Sequence, residues 1–252
     1  TANTATATVN ATGVVTGVAS GSTTILYTVT NANGCVTTVS TALTVNAIPL
    51  VAAISGTTEV CAGSTTALAN ATANGVWTSS NTAVATVNAS GVVTGVGAGS
   101  ATITYTVTTN GCTANAQATV NVNALPTLAP IAGVMNACIG SSTILTNTTT
   151  GGAWTSSNTN VATVNSITGA VSGVSAGTST ITYTYTNSNG CTSAVTTTVT
   201  INSAPVVAAI TGTTSVCEGA TTALANATAN GVWSTANTAT ATVNATGVVT
   251  GV

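Results

Sequence analysis

The opening segment of the chain returns, letter for letter, as its closing segment. Residues 1–18 and residues 235–252 both read TANTATATVNATGVVTGV, 234 positions apart. Self-similarity at a fixed distance is the signature of a repeat architecture. We therefore expect a window of a longer periodic array that begins and ends inside a repeat, and we expect its function to depend on what such an array can span.

Landmark residues indicate a shorter repeat, about one third as long, inside this long period. One Trp, one Tyr and one Pro recur at nearly constant spacing: Trp77, Trp154 and Trp233; Tyr27, Tyr105 and Tyr183; Pro49, Pro126 and Pro205. Short joints that carry the Pro predict two complete domains, 48–124 and 125–203. Residues 1–47 would then be the C-terminal part of a domain and residues 204–252 the N-terminal part of another.

Each repeat consists of short segments with alternating apolar and polar residues, which is typical of strands. In residues 48–124 these segments are Leu50–Ile54 (running on irregularly to Cys61), Thr65–Ala71, Val76–Ser79, Val84–Val87, Gly91–Val96, Ala101–Thr108 and Thr113–Val122. Gly- and Asn-rich stretches between them predict turns. Seven short strands in each repeat favour an all-β fold of tandem Greek-key sandwiches.

The composition excludes most kinds of chemistry. The chain has no Lys, Arg or His, and its only acidic residues are Glu59 and Glu218. Acid–base catalysis, metal binding and nucleic-acid binding each depend on residue types that are absent or isolated here. We expect no enzyme activity, no cofactor or metal, no nucleic-acid partner and no membrane-spanning segment. The two Glu residues occupy different columns of the repeat, so we interpret them as solvated surface residues.

A long motif in the second half of each repeat indicates a family. It reads WTSSNTAVATVNASGVVTGVGAGSATITYTV at 77–107, and a close variant stands at 154–186. This motif resembles bacterial Ig-like domains of group 2, and the TNGC and SNGC turns resemble arrays in giant surface proteins of gliding Bacteroidota. The resemblance implies seven-stranded immunoglobulin-like sandwiches stacked end to end as an extracellular fibre on the bacterial cell surface, without shared catalytic residues.

The recurring aromatic residues have two interpretations. Trp77, Trp154 and Trp233 could stack against sugars, but an immunoglobulin-like fold usually places such a Trp in the core. For Tyr27, Tyr105 and Tyr183 we likewise expect core packing with the hydroxyl group at the edge.

The six cysteines, two in each complete repeat, are the strongest candidates for a functional role: Cys35, Cys61, Cys112, Cys138, Cys191 and Cys217. In an immunoglobulin-like sandwich, the two cysteines of one repeat would lie at opposite ends, on the order of 25 Å apart. A disulfide needs Cα atoms within about 7 Å.

We therefore favour a disulfide between consecutive repeats, Cys61–Cys191. Cys138 and Cys217 would then pair with the equivalents of Cys35 and Cys112 in the next period. The alternative is pairing within each repeat, as Cys61–Cys112 and Cys138–Cys191.

The function that we expect is structural, as a stalk or filament whose partners are neighbouring domains or further copies of the fibre, with lateral bundling allowed. The competing function is an adhesin module that binds a glycan or a receptor, through regions outside this window. A third arrangement would join the two ends of different molecules by strand addition. The duplicated end segment argues against it, because only one copy of that segment would be needed.

Overall fold

A computed structural model describes residues 1–252, which form strands, turns and extended segments without a helix. The prediction of an all-β fold is confirmed. Contacts divide the chain into two compact units. Unit 1 comprises Thr1–Pro130, Thr148–Ala153 and Thr184–Val195, and unit 2 comprises Ile131–Asn147, Trp154–Tyr183 and Thr196–Val252. No helix is present that is long and apolar enough to cross a membrane.

Residues 1–47, in unit 1, form two antiparallel hairpins. Their strands are β1 (Ala7–Val9), β2 (Val15–Gly17), β3 (Gly21–Thr30) and β4 (Val36–Val45). β1 pairs with β2, and β3 pairs with β4 along the full length of both strands.

Residues 48–124, also in unit 1, form two four-stranded sheets. Their strands are β5 (Ser55–Gly56), β6 (Glu59–Cys61), β7 (Thr65–Ala69), β8 (Gly75–Ser79), β9 (Ala85–Val87), β10 (Val92–Gly95), β11 (Gly99–Thr109) and β12 (Cys112–Asn123). The strand orders are β5-β7-β10-β9 and β6-β12-β11-β8. All pairs are antiparallel except β6 with β12, which is parallel.

The same set of strands recurs in residues 131–202. It consists of β13 (Ala132–Gly133), β14 (Asn136–Cys138), β15 (Ser142–Thr146), β16 (Ala153–Ser156), β17 (Ala162–Val164), β18 (Ala170–Gly173), β19 (Gly177–Thr186) and β20 (Thr192–Asn202). The orders β13-β15-β18-β17 and β14-β20-β19-β16 repeat those of the preceding set. The domain boundaries that we placed at the Pro-bearing joints stay a prediction.

Residues 204–252, in unit 2, form only the first sheet of this pattern. Its strands are β21 (Thr211–Gly212), β22 (Thr221–Ala225), β23 (Ala241–Val243) and β24 (Val248–Gly251), in the order β21-β22-β24-β23. No counterpart of the long hairpin β11–β12 is present in this segment.

The prediction of a first strand at Leu50–Ile54 is wrong. Side chains, and not a neighbouring strand, bind the backbone there: the Ala52 N–H donates to Thr72 Oγ1 (2.9 Å) and the Ala52 carbonyl accepts from Asn70 Nδ2 (2.6 Å). The chain then contributes two very short strands, β5 to one sheet and β6 to the other. Gly56, the last residue of β5, has a φ of 120°, which a residue with a Cβ rarely adopts.

The core of residues 48–124 lies between the two sheets. Val93 comes from the first sheet and Ile103 and Val120 from the second, and all three are fully buried. Burying an aliphatic side chain of this size contributes about 1.5–3 kcal/mol. Trp77 packs against this cluster, and its ring centroid lies 4.6 Å from that of Tyr105. In unit 2, Trp154 and Tyr183 are buried with the same separation of 4.6 Å.

The core prediction is wrong for Tyr27, which is 69% exposed. The equivalent Tyr105 is covered by Trp77 on the paired strand β8, and residues 1–47 contain no such strand. Residues 204–252 contain no tyrosine that could cover Trp233, which is only half-buried. The two aromatic positions therefore become a core only where one repeat supplies both.

Candidate functional site

The joint between residues 48–124 and the next repeat carries a disulfide within unit 1. Cys61 ends β6, and the parallel pairing of β6 with β12 places it beside Asn123, the last residue of β12. Cys191 follows the turn 187–190 and directly precedes β20. The two sulfur atoms are bonded, with the Cα atoms 5.6 Å apart. The bond thus links residues of consecutive repeats.

The strand register keeps the two cysteines of one repeat apart. Cys61 is paired with Asn123, and Cys112 is the first residue of the same strand β12. Eleven residues of extended strand separate Cys112 from Asn123, which corresponds to roughly 35 Å. A bond from Cys61 to Cys112 would need Cα atoms within about 7 Å. The geometry therefore offers Cys61 no partner within its own repeat.

Asparagine side chains fix the turn that presents Cys191. The Oδ1 atom of Asn187 accepts hydrogen bonds from the backbone N–H groups of Asn189 and Cys191, both at 3.0 Å. The Nδ2 atom of Asn187 donates to the carbonyl of Ala124 (3.1 Å), and that of Asn189 donates to Asn123 Oδ1 (3.2 Å). One pair of side chains thus shapes the turn and also attaches it to the end of the preceding repeat.

The Glu59 carboxylate supports the other side of this joint. Its Oε1 accepts from Asn121 Nδ2 (2.8 Å) and its Oε2 accepts from Asn123 Nδ2 (2.9 Å). These two hydrogen bonds to the charged form lower the pKa of Glu59, and desolvation opposes them more weakly. Because Asn123 Oδ1 also accepts from Asn189, Glu59 belongs to a hydrogen-bond chain that crosses the joint.

The preceding joint in unit 1 is also hydrogen-bonded and places a cysteine at the same position. Asn46 Nδ2 donates to the carbonyl of Asn110 (2.9 Å), in the turn before Cys112. Cys112 Sγ lies 3.7 Å from the carbonyl oxygen of Asn46, just as Cys191 Sγ lies 3.9 Å from that of Asn123. Cys112 is half-buried and free, and Cys35, Cys138 and Cys217 are exposed and free.

Comparison with known sequences identifies the repeat. Residues 35–120 match the family described as Bacterial Ig-like domain (group 2). These residues belong to that family. No curated protein sequence matches the chain. The resemblance of the motif at 77–107 to this family is therefore confirmed, whereas the likeness to arrays of gliding Bacteroidota stays a prediction. Residues 51–77 of the matched Ig-like repeat recur with few changes at 207–233.

Solved structures with tandem domains are distantly similar to the chain. Domains 1–6 of the surface layer protein SbsC are 18% identical, with 97% of this chain and 41% of that one covered and a TM-score of 0.28. BT4661, a SusE-like surface located polysaccharide binding protein of Bacteroides thetaiotaomicron, is 13% identical, with coverage of 72% and 43% and a TM-score of 0.39. A C-terminal intimin fragment, solved with the intimin-binding domain of its receptor Tir, is 15% identical, with coverage of 65% and 67% and a TM-score of 0.35. The chain spans about two fifths of the length of the first two.

The Ig-like repeats offer a covalent cross-link and little other chemistry. No group of three or more His, Cys, Asp or Glu side chains lies close enough to hold a metal ion. Trp154 is only 4% exposed, so its ring presents no face on which a sugar could stack, and the Trp77 ring packs on Tyr105. The joint, with its disulfide and its asparagines, is the candidate functional site.

Sequence reasoning singled out the cysteines of this site but missed the polar side chains around them. Glu59 does lie on the surface, yet it binds two asparagines there. A signal existed for Asn123, because an Asn precedes the Pro-bearing joint as VNAIP and again as VNALP. The Asn of the NGC turn recurs as well. Their meeting across the joint depends on the strand register, which the sequence does not display.

Proposed function

We propose that this chain is a segment of an extracellular stalk or filament on a bacterial cell surface, in which disulfides join consecutive Ig-like domains. The observation that carries the proposal is the Cys61–Cys191 bond, which spans 130 residues and connects the end of one repeat to the next. Disulfides persist in oxidising, extracellular environments. The proposed role therefore agrees with the location implied by the family.

The bond gives such a stalk a defined response to tension. Force applied to the two ends of the chain passes through residues 1–61, crosses the disulfide and continues from residue 191. Residues 62–190 carry no load while the bond is intact. The core strands β7 to β11 of the complete repeat lie inside this protected segment. Ligand recognition, in this proposal, belongs to regions outside these residues.

Single-molecule extension of the chain in oxidising and in reducing buffer tests the proposal. Reduction should lengthen the fully extended chain by roughly 450 Å, because it releases 130 residues at about 3.5 Å each. The double variant Cys61→Ser and Cys191→Ser is the matched control and should extend equally in both buffers. Equal extension of the unsubstituted chain in both buffers would contradict the proposal. A release of about 180 Å, corresponding to a bond between Cys61 and Cys112, would do so as well.

A further inference from the structure

The Glu59 carboxylate determines the orientation of the Asn123 amide at the disulfide-bonded joint. Asn121 Nδ2 donates to Glu59 Oε1 (2.8 Å), and Asn123 Nδ2 donates to Glu59 Oε2 (2.9 Å). Both bonds lower the pKa of Glu59, which keeps the carboxylate ionised at neutral pH. An ionised carboxylate can only accept hydrogen bonds, so the amide atom that faces it must be the nitrogen. Asn123 therefore presents its oxygen, Oδ1, to the next repeat.

Asn123 Oδ1 binds a turn that offers a hydrogen-bond donor. The donor is Nδ2 of Asn189, which lies 3.2 Å from Asn123 Oδ1. Asn121 is held in the same sense as Asn123, since its own Oδ1 accepts from Ser100 Oγ (2.7 Å). Every donor in this hydrogen-bond chain thus points towards the carboxylate, from both sides of it.

At the preceding joint of unit 1, the equivalent asparagine has the opposite orientation. Asn46 Nδ2 donates to the carbonyl oxygen of Asn110 (2.9 Å). The turn there is short, because Asn110 and Gly111 alone connect β11 to β12, whereas residues 187–191 connect β19 to β20. The short turn presents a backbone acceptor and the long turn presents a side-chain donor. An asparagine at the end of a repeat can therefore bind either kind of turn, depending on which way its amide faces.

The carboxylate and the asparagine beside it are replaced together in the next repeat. The parallel register of β6 with β12 pairs Glu59 with Asn121, and the register of β14 with β20 pairs Asn136 with Thr200. The repeat 131–202 thus has the same strand pair without the acid and without the asparagine that binds it. A contact that every sandwich needs would recur at both places, so this one is specific to a single joint.

A cysteine alone does not identify the correct repeat, because three turns of the chain carry one. Cys35, Cys112 and Cys191 each directly follow an Asn-Gly pair. Of these, Cys191 is the one that is bonded to Cys61, and its turn is the one whose side chain reaches Asn123. The selective hydrogen bond thus accompanies the covalent bond.

We propose that Glu59 is a specificity-determining residue for the Cys61–Cys191 bond. By turning Asn123 Oδ1 outwards, it makes the joint bind a repeat whose turn carries a donor such as Asn189 and disfavour a repeat whose turn presents a carbonyl group. The inference rests on the proposed function, because it concerns the disulfide which that function requires. Its chemical consequence is a higher effective concentration of the two thiols, since the docked turn holds them within bonding distance.

Equilibration of the 252-residue chain with reduced and oxidised glutathione measures this effective concentration. Serine replaces the four free cysteines, so that only the Cys61–Cys191 bond can form within one chain. Its two thiols lose two protons and two electrons, and one oxidised glutathione is reduced to two thiols. Glu59→Gln should lower the effective concentration roughly three- to tenfold, because a glutamine has one acceptor oxygen for the two asparagines that donate to the carboxylate.

Reversal of the hydrogen-bond direction separates this role from a general effect on stability. Asn189→Asp alone places an acceptor against Asn123 Oδ1 and should lower the effective concentration at least as much as Glu59→Gln does. When the two substitutions are combined, the Asn123 amide can turn over, accept from the glutamine and donate to the aspartate. The double variant keeps the net charge of the chain and should restore the unsubstituted value to within about twofold.

Two matched controls change the charge elsewhere. Asn33→Asp adds a carboxylate to the turn that precedes Cys35, and Glu218→Gln removes the other acidic side chain, so both should leave the effective concentration unchanged. An unchanged value for Glu59→Gln, or losses that simply add up in the double variant, would overturn the inference and leave the stalk proposal intact. Absence of the Cys61–Cys191 bond from the unsubstituted chain would instead refute the proposed function, and the inference with it.

Discussion

At the scale of single residues, asparagine, serine and threonine perform the tasks that charged side chains share in most proteins. Asn88 is typical: its Oδ1 accepts from the N–H groups of Ser90 (3.0 Å) and Val92 (2.9 Å) and so holds the turn between β9 and β10. Asn10 and Asn244 hold equivalent turns in the same way. No buried side-chain nitrogen or oxygen lacks a hydrogen-bond partner. A chain with two acidic residues and no basic ones thereby satisfies its polar groups.

The buried hydroxyl group of Tyr105 provides a prediction at this scale. Tyr105→Phe removes the hydroxyl group that binds both the Gly75 N–H and the Thr72 carbonyl. Tyr105 is only 6% exposed, so these two groups lose their partner in a buried place. Leaving such groups unpaired costs about 1–3 kcal/mol. Denaturant unfolding should show this loss for Tyr105→Phe and a change within about 0.5 kcal/mol for Tyr27→Phe, whose side chain is exposed. Equal losses of stability for the two substitutions would show that the buried Tyr105 hydroxyl group does not stabilise the fold.

Glu59 gives a prediction for the dependence of stability on pH. The hydrogen bonds from Asn121 and Asn123 lower its pKa below the ordinary value of 4.5. A lowered pKa in the folded state stabilises the protein fully above the unfolded-state pKa, and this contribution is lost as the pH falls through the folded-state pKa. The thermal midpoint should therefore be nearly constant between about pH 5 and 8 and fall below about pH 4.5.

Thermal unfolding of Glu59→Gln, followed from pH 7 to pH 3, checks this origin. The amide cannot lose a charge, so the fall at acidic pH should be smaller than in the unsubstituted chain. Glu218→Gln is the control, since Glu218 is the only other acidic residue. A fall of the same size in Glu59→Gln would show that Glu59 does not cause it.

At the scale of strands and turns, the sequence predicted most of the elements, because alternation and turn residues are local signals. The Trp strand, the long hairpin and its turns lie close to their predicted positions. The first strand was misplaced, because Asn70 and Thr72 bind the backbone of Ala52 from a distant part of the sequence. Burial of Tyr27 was also misjudged, since it depends on a strand that residues 1–47 do not contain. Both errors concern contacts between elements.

The turn between β9 and β10 depends on a glycine in the left-handed region. Gly91 has a φ of 81°, and a Cβ atom there would collide with the carbonyl oxygen of Leu68. The equivalent Gly13 has a φ of 87°, but nothing lies within 4 Å of its would-be Cβ atom. Gly13→Ala should cost about 1–2 kcal/mol from the backbone alone.

Gly91→Ala should cost about 1–3 kcal/mol more than Gly13→Ala, because the collision adds to the same backbone strain. Denaturant unfolding of the two variants measures the difference. Equal losses would show that the contact with Leu68 is unimportant.

At the scale of the whole molecule, the period of the sequence predicted the repetition of strands, and the structure repeats both sheet orders. The hydrogen-bonded joint was not predictable in the same way. Asn123, Asn189 and Glu59 meet because β6 runs parallel to the end of β12 and because the turn before β20 reaches that point. The cysteine pairing was accessible from the sequence only through the family fold, which separates the two cysteines of a repeat.

The disulfide between consecutive repeats is the central claim, and peptide mapping without reduction tests it most directly. Trypsin would not cut this chain, which has no Lys or Arg, so thermolysin, which cuts before apolar residues, is the suitable protease. The account predicts a cross-linked pair of peptides that contain Cys61 and Cys191. A cross-linked pair that contains Cys61 and Cys112 would contradict it.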